Sequence, residues 1–152
     1  MPGQPHVLLV DDNDEDTQIF IRAFSRAAPD VPLHSVRSGA EALDFIKGVD
    51  RFADRSAYPL PSLLIVDLNM PGVDGFAVIR WVRDQAELRH VPIIVLSSSN
   101  EHADISRAHK LGANACHMKP TNSEALSGLV EGLKVYWLNQ QLQAARDQNP
   151  AG

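Results

Sequence analysis

Residues 62–75 read SLLIVDLNMPGVDG, and this stretch decides the fold. An apolar run from Leu63 to Val66 ends on an acid, Asp67, and a Met-Pro-Gly turn follows. An unbroken apolar run of this length is typical of a strand buried on both faces of a parallel sheet. Asp67 would then lie at the carboxyl end of a central strand, where open α/β sheets bind their ligands. Taken alone, the acid is better explained as a turn or helix-capping residue.

Four other short, mostly apolar segments alternate with segments of helical periodicity. The pattern predicts strands over 6–10, 33–36, 92–96 and 115–118, besides 63–66. The segment 33–36 carries polar residues and fits an edge better than a centre. Helices are predicted to begin near Asp14, at Ser38, at Gly75, near Asn100 and at a capping box opened by Thr121. Five β-α units predict one doubly wound parallel sheet, with two helices on one face and three on the other.

Composition limits the classes of function. The chain has 152 residues and a formal net charge of -5, which predicts one domain and argues against nucleic acid or an anionic membrane as a partner. A single cysteine cannot form an intrachain disulfide, which favours a reduced, cytoplasmic compartment. No apolar run reaches transmembrane length. We expect one domain over residues 6–146, with flexible termini at 1–5 and 147–152.

Chemically distinctive side chains follow the four strongest strands. They are Asp11 and Asp12, Asp67, Ser97 and Lys119. Parallel strands end at one edge of a sheet, so these groups should converge. Three close carboxylates raise one another's pKa unless a divalent cation neutralises them. Hard oxygen ligands favour Mg²⁺, with Mn²⁺ as a substitute, and Asp67 becomes a nucleophile suited to attack on a phosphoryl group.

The segments LLVDD (8–12), VDLNMPGVDGF (66–76) and VLSSS (95–99), followed by the Lys119-Pro120 pair, resemble the receiver domain of two-component response regulators. The resemblance covers about Val7 to Gly132. It implies a flavodoxin-like (βα)5 fold with strand order 2-1-3-4-5. It also implies a phosphohistidine on a sensor histidine kinase as phosphodonor, and a phosphorylation-dependent switch rather than an enzyme, with at most slow self-dephosphorylation.

The resemblance also implies roles for single residues. Asp67 matches the phosphoacceptor, Ser97 the switch hydroxyl and Lys119 the lysine that contacts the phosphoryl group. The metal ligands would be Asp12 directly, Asp11 mostly through water, Asp67, and the backbone carbonyl of Asn69. The Lys119-Pro120 bond would be cis.

Cys116 departs from the family pattern, in which that position usually holds a tyrosine or phenylalanine. Either the movement of the loop containing Ser98 carries the switch alone, or His117 or another neighbour replaces the aromatic ring. A finer resemblance, to stand-alone regulators paired with bacterial and cyanobacterial phytochromes, depends on DDNDED (11–16), the long connection before the third strand, LSSS (96–99) and the long last helix. It implies a bacteriophytochrome as the kinase.

The last helix carries more apolar surface than one sheet can cover. Its main stripe is Leu126, Leu129, Val130, Leu133 and Trp137, and Val135, Tyr136 and Leu138 add apolar surface on other faces. We expect a homodimer through this helix, with helix four as a further contact, and glycines 128 and 132 on the sheet-facing side. We expect this helix to continue to the end of the chain, with no DNA-binding module after it.

Two other functions stay open. An Mg²⁺-dependent phosphohydrolase or phosphotransferase could use the same Asp nucleophile, although Asn69 is not the second acid such enzymes usually have. A degenerate receiver could serve only as a dimerisation module, but the intact set of strand-end residues argues against it. The acids Asp14, Glu15 and Asp16 could tune contact with a metal or a kinase, but a solvated helix start explains them better.

Overall fold

The structure is a computed structural model that describes residues 5–98 and 101–148, with side chains described to Trp137. Strands and helices alternate throughout. They are β1 (Val7–Val10), α1 (Asp14–Ala27), β2 (Leu33–Val36), α2 (Gly39–Lys47), β3 (Leu63–Val66), α3 (Gly75–Asp84), β4 (Ile93–Ser97), α4 (His102–Leu111), β5 (Ala115–Met118) and α5 (Ser123–Gln148). Two single 3₁₀ turns, Asp50–Phe52 and Ala86–Leu88, lie in the connections.

All five strands are parallel and form one sheet in the order β2-β1-β3-β4-β5. The predicted fold and strand order are confirmed. Strands β1, β3 and β4 are buried along their whole length, as unbroken apolar runs require. Strand β2 is half-exposed at the edge, as its polar residues predict.

Two apolar cores lie on opposite faces of the sheet. Helices α2, α3 and α4 cover one face, and α1 and α5 cover the other, which confirms the predicted two-and-three division. The predicted stripe of α5 packs on the second face. Its Trp137 is 1% exposed, and the indole N–H donates a hydrogen bond of 3.0 Å to the carbonyl of Ser62. The segment that opens the central strand is therefore fixed by the last helix.

Two local predictions were wrong. Asn122, not Thr121, caps α5, because its side-chain oxygen accepts from the N–H of Ala125 at 2.8 Å, and Asn is a stronger N-cap than Thr. Gly128 and Gly132 face solvent, and nothing lies within 4 Å of a Cβ placed on either, so they allow no close approach to the sheet. Helix α4 begins at His102; the predicted start near Asn100 lies outside the described residues and stays a prediction.

The long connection between α2 and β3 is packed. Phe52 and Tyr58 pack against Phe45 of α2, with ring centroids 5.1 and 5.7 Å away. The Arg55 guanidinium donates to the carbonyls of Phe45 at 2.8 Å and of Ile46, which belong to the last turn of α2. Helix ends leave such carbonyls without an intrahelical partner, so Arg55 caps α2.

No helix within the described residues is long and apolar enough to cross a membrane.

Candidate functional site

The sheet ladder extends one residue past the strands and fixes the backbone of the site. The N–H of Asp67 donates to the carbonyl of Val10 at 2.9 Å, and the N–H of Asp11 donates to Val36 at 3.2 Å. The N–H of Lys119 donates in the same way, at 2.9 Å, to the carbonyl of Ser97 at the end of the neighbouring strand. These strand-end side chains therefore share one edge of the sheet, as the sequence predicts.

A close backbone approach shapes the turn after Asp67. A Cβ on Gly75 would lie 2.3 Å from the carbonyl oxygen of Asp67, so this position admits only glycine. Asp74 caps α3 by accepting from the N–H of Ala77 at 3.0 Å. Helix α3 consequently starts directly against the end of β3.

The ammonium group of Lys119 joins three carboxylates. Its Nζ lies 3.0 Å from an oxygen of Asp11, 3.0 Å from Asp16 and 3.1 Å from Asp67. Burial on its own would lower the pKa of Lys119, but hydrogen bonds to Asp16 and Asp11 and the charges of Asp11 and Asp67 outweigh it. The pKa of Lys119 therefore lies above its ordinary value, and the amine stays charged at neutral pH.

The carboxylates fit a divalent cation. Asp11, Asp12 and Asp67 each offer an oxygen, and these oxygens lie within 4.8 Å of one another. Asp11 and Asp67 are only 6% and 5% exposed. Burial raises the pKa of Asp11, although the N–H of Asn13 and the amine of Lys119 act in the other direction. A hard cation would remove this cost, since all the donors are carboxylate oxygens.

Ser97 and Asn69 connect the ends of β3 and β4. The backbone N–H of Asn69 donates to Oδ1 of Asp67 at 3.1 Å, and its side-chain amide donates to the Ser97 hydroxyl at 3.2 Å. Ser97 is 2% exposed, and Ser98, directly after β4, is exposed. The buried hydroxyl is thus two hydrogen bonds away from the Asp67 carboxylate.

Cys116 is half-buried in β5 beside a small cavity. The cavity measures about 80 Å³ and is lined by Leu68, Val95, Ser97, Ile105, Cys116, His117 and Met118. Burial raises the pKa of the Cys116 thiol, which disfavours the reactive thiolate. His117 is exposed. The position that an aromatic ring usually takes in the family is therefore occupied by a small side chain next to open volume.

Two site predictions failed. The Lys119-Pro120 bond is not cis, since residues 5–98 and 101–148 contain no cis peptide bond. The trans form is the intrinsic preference even before proline, and here it already brings Lys119 to Asp67. Asp16 was expected to be solvated, yet it contacts Lys119. The missed signal is its place in the first turn of a helix that begins directly after β1.

Two of the residues predicted to form a dimer interface, Val135 and Tyr136, are exposed on α5. Val135 and Tyr136 are 58% and 48% exposed, and Met118 on the neighbouring strand is 55% exposed. A groove of about 440 Å³ lies between β5 and α5, with Gly128 and Gly132 along its helical wall. The side chain of Leu138 lies outside the described ones.

Residues 7–131 match the family model of the response regulator receiver domain. The chain belongs to this family. Curated relatives of this receiver include the probable methanogenesis regulatory protein FilR2 of Methanothrix harundinacea, which is 33% identical over 87% of the chain and 83% of the relative. Response regulator Rcp1 of Synechocystis is 27% identical, over 87% of this chain and 88% of Rcp1.

Solved structures similar to this receiver include phytochrome response regulators. RPA3017, a response regulator in red light signalling of R. palustris, is 38% identical with a TM-score of 0.82, over 90% of this chain and 95% of that one. The phosphorylated cyanobacterial phytochrome response regulator RcpA is 28% identical with a TM-score of 0.81, over the same shares. A Mn²⁺-bound form of Rcp1 is 27% identical, with a TM-score of 0.78, over 88% and 94%.

Proposed function

We propose that this receiver accepts a phosphoryl group on Asp67 from a phosphohistidine of a sensor histidine kinase and acts as a phosphorylation-dependent switch. One observation carries the proposal: the Lys119 ammonium lies 3.1 Å from the Asp67 carboxylate and 3.0 Å from Asp11. A half-buried cation beside a buried carboxylate is suited to receive the negative charge of a phosphoryl group. Membership of the receiver family and the phosphorylated RcpA structure support it.

The transfer itself is a substitution at phosphorus. A carboxylate oxygen of Asp67 attacks the phosphorus atom and forms a P–O bond, while the P–N bond to the donor imidazole breaks. The bonding electron pair stays on the imidazole nitrogen, which takes a proton. Lys119 donates to the phosphoryl oxygens as a point charge, and the fixed position of Asp67 at the strand end orients the attack.

The acidic cluster would hold a divalent cation, for which we propose Mg²⁺, with Mn²⁺ able to replace it. Asp11, Asp12 and Asp67 would supply carboxylate ligands, and the carbonyl of Asn69 a further one. When bound, the cation neutralises charge on the carboxylates and on the phosphoryl oxygens. The Mn²⁺-bound Rcp1 structure supports binding of a divalent metal, and the acidic cluster supports it in this chain.

Ser97 would respond to the modification. A phosphoryl group on Asp67 offers oxygens that can accept a hydrogen bond from the Ser97 O–H, whose oxygen now accepts from the Asn69 amide at 3.2 Å. Movement of Ser97 would displace the loop that contains Ser98 and change the surface of α4, β5 and α5. The cavity beside Cys116 gives that loop room to move without a rotating aromatic ring.

Acetyl phosphate tests the acceptor directly. With Mg²⁺, the wild-type chain should gain the mass of one phosphoryl group, and Asp67→Asn should gain none. Asp74→Asn is the matched control, because it makes the same change in the same turn and Asn still caps α3. Equal labelling of Asp67→Asn, or no labelling of the wild type, would remove the proposal.

We propose a phytochrome-type sensor kinase, in a cytoplasmic pathway, as the phosphodonor. The likeness to RPA3017 and RcpA supports this choice. The test is phosphotransfer from purified autophosphorylated kinases to this chain, with a bacteriophytochrome kinase from the same genome against its other histidine kinases. Transfer that is fastest from a kinase without a chromophore domain would contradict it.

We propose a homodimer through α5. Cys116 and Ser98 would lie close to the surface of α4, β5 and α5 that phosphorylation changes. The exposed Val135 and Tyr136 support it, since apolar side chains grouped on one helix mark interfaces. Tyr136→Glu should shift the sedimentation coefficient from dimer to monomer. Gln18→Glu, an exposed change on α1, is the control, and a monomeric wild type would contradict the proposal.

No observation favours a phosphohydrolase. Receiver domains are generally signalling switches, and the residue two positions after Asp67 is an amide, Asn69, rather than a second acid. We propose that any hydrolysis is slow self-dephosphorylation. Rapid multiple turnover of a generic phosphate ester would overturn this.

A further inference from the structure

We propose that Asp16 is a positioning residue for phosphoryl transfer, which holds the Lys119 ammonium at the site while Asp67 is modified. The inference rests on the proposed function. Its basis is the 3.0 Å ion pair between Asp16 and Lys119, made beside the pairs with Asp11 and Asp67. Asp16 lies on α1, so Lys119 is restrained from a helix as well as from the strand ends.

The backbone around Asp16 is itself fixed. Asp16 is the third residue of α1, and its N–H donates to the side-chain oxygen of the N-cap, Asn13, at 2.9 Å. The N–H of Asn13 donates in turn to Asp11 at 3.0 Å. Asn13 therefore contacts the carboxylate of Asp11 and fixes the backbone of Asp16, so the β1–α1 turn supports both residues.

A helix-dipole effect does not explain the contact. Acids in the first turn of a helix are favourable wherever they point, and Asp14, Glu15 and Asp16 all qualify. Only Asp16 among them reaches Lys119. Asp14 pairs instead with Arg37 at 3.0 Å on the exposed surface, where its side chain is 66% exposed against 43% for Asp16.

Three anchors match the three N–H donors of an ammonium group. When a phosphoryl group forms on Asp67, the carboxylate loses its own negative charge, and its ion pair with Lys119 is lost. The contacts to Asp11 and Asp16 survive, so two N–H groups stay bound and the third is left directed at the phosphoryl oxygens. Without Asp16, the flexible four-carbon stem of Lys119 would be held by Asp11 alone.

The charge of Asp16 and its contact with Lys119 predict opposite changes in the phosphorylation rate when Asp16 is removed. Asp16 adds negative charge near the path of an anionic phosphodonor, so its removal should speed the reaction if charge alone mattered. Loss of a held lysine should slow it instead, because a misplaced catalytic group can cost up to about 100-fold in rate. We expect Asp16→Ala to slow phosphorylation about tenfold.

The test is the rate of phosphorylation of the full chain by acetyl phosphate at saturating Mg²⁺. Asp16→Ala should be slowed about tenfold, and Asp16→Glu, which restores the carboxylate, should recover most of the rate. Glu15→Ala is the matched control and should equal the wild type, since Glu15 is exposed on the same helical turn. An unchanged or faster Asp16→Ala, or an Asp16→Glu no better than Asp16→Ala, overturns the inference.

A second measurement separates action through Lys119 from a structural effect. In a Lys119→Ala background, followed by the labelled fraction over long incubations, Asp16→Ala should cause no further slowing, because coupled residues are non-additive. A further tenfold loss in that background overturns the inference. Failure of the wild type to label, or labelling of Asp67→Asn, would instead mark the failure of the proposed function.

Discussion

Two half-buried cations occupy opposite edges of the sheet and have opposite surroundings. At the carboxyl edge, Lys119 faces the carboxylates of Asp11, Asp16 and Asp67. At the amino edge, the Arg83 guanidinium faces neutral oxygens of the backbone and of one amide. It donates to the carbonyls of Gly112, Leu88, Arg89 and Val91 at 2.8–3.3 Å and to the Asn114 side chain at 2.8 Å.

The pKa shifts record this difference. Burial lowers the pKa of Arg83, whereas the carboxylates around Lys119 raise the pKa of that amine above its ordinary value. Through its hydrogen bonds to carbonyls, Arg83 links α3 to the end of α4 and to the starts of β4 and β5. Lys119, surrounded by carboxylates, can donate to the oxygens of a phosphoryl group on Asp67. The comparison teaches that the partners of a buried charge, rather than its burial, distinguish a structural residue from a functional one.

Lys119 should be the larger loss for chemistry. Lys119→Ala is expected to slow labelling by acetyl phosphate by about 100-fold or more, because removal of one donor to a developing negative charge costs that much. The measurement is the labelling rate with saturating Mg²⁺. Lys110→Ala, an exposed lysine on α4, should behave like the wild type, and a Lys119→Ala variant as fast as Lys110→Ala would refute the role.

Arg83 should be the larger loss for stability. Arg83→Met removes the donor to the half-buried carbonyls of Gly112 and Val91, so we expect the free energy of unfolding to fall by about 3 kcal/mol. Urea unfolding measures it, with Arg80→Met on the exposed face of α3 as the control. The labelling rate per folded molecule should not change. A stable Arg83→Met, or a folded variant that no longer labels, would remove the contrast between the two edges.

Divalent metal should act on one edge only. Mg²⁺ at about 100 times its Kd should raise the free energy of unfolding by about 2.7 kcal/mol. Asp12→Asn should abolish this gain, because Asp12 belongs to the carboxylate cluster. Arg83→Met should keep it in full. Urea unfolding with and without Mg²⁺ measures both, and a gain in Asp12→Asn equal to that of the wild type would place the metal elsewhere.

Asn114 should contribute less to stability at the amino edge than Arg83 does. Its side-chain oxygen accepts from Arg83 and from the N–H of Ile93, each at 2.8 Å. Asn114→Ala removes one acceptor shared by two donors, so about 1 kcal/mol of stability should be lost. The same substitution in the Arg83→Met background should cost less, and full additivity would show that the two residues do not act together.

The carboxyl edge could be predicted from the sequence because charged and polar residues directly follow its apolar strands. Strand ends in a parallel sheet are fixed by apolar runs, so Asp11, Asp67 and Lys119 could be placed together before any coordinates. Asp16 could not, since an acid at a helix start has an ordinary explanation and its direction depends on side-chain placement. The Arg83 contacts escaped for a related reason: four of the five acceptors are backbone carbonyls, which carry no sequence signature.

The β5–α5 face shows the limit of helical periodicity. The apolar stripe of α5 predicted the packed side chains correctly, but it did not fix the two glycines, which lie on the solvent side. A residue without a side chain contributes nothing to an apolar pattern. The cis Lys119-Pro120 bond is implied by the family resemblance alone, and the structure does not contain it.

The most direct test of the central claim is the location of the phosphoryl group. The chain would be treated with acetyl phosphate and Mg²⁺, the acyl phosphate trapped by borohydride reduction, and the peptides mapped by mass spectrometry. The account predicts that only the peptide with Asp67 is reduced, at Asp67 itself. Modification confined to Asp11, Asp12 or Asp16, or a chain that is never modified, would contradict it.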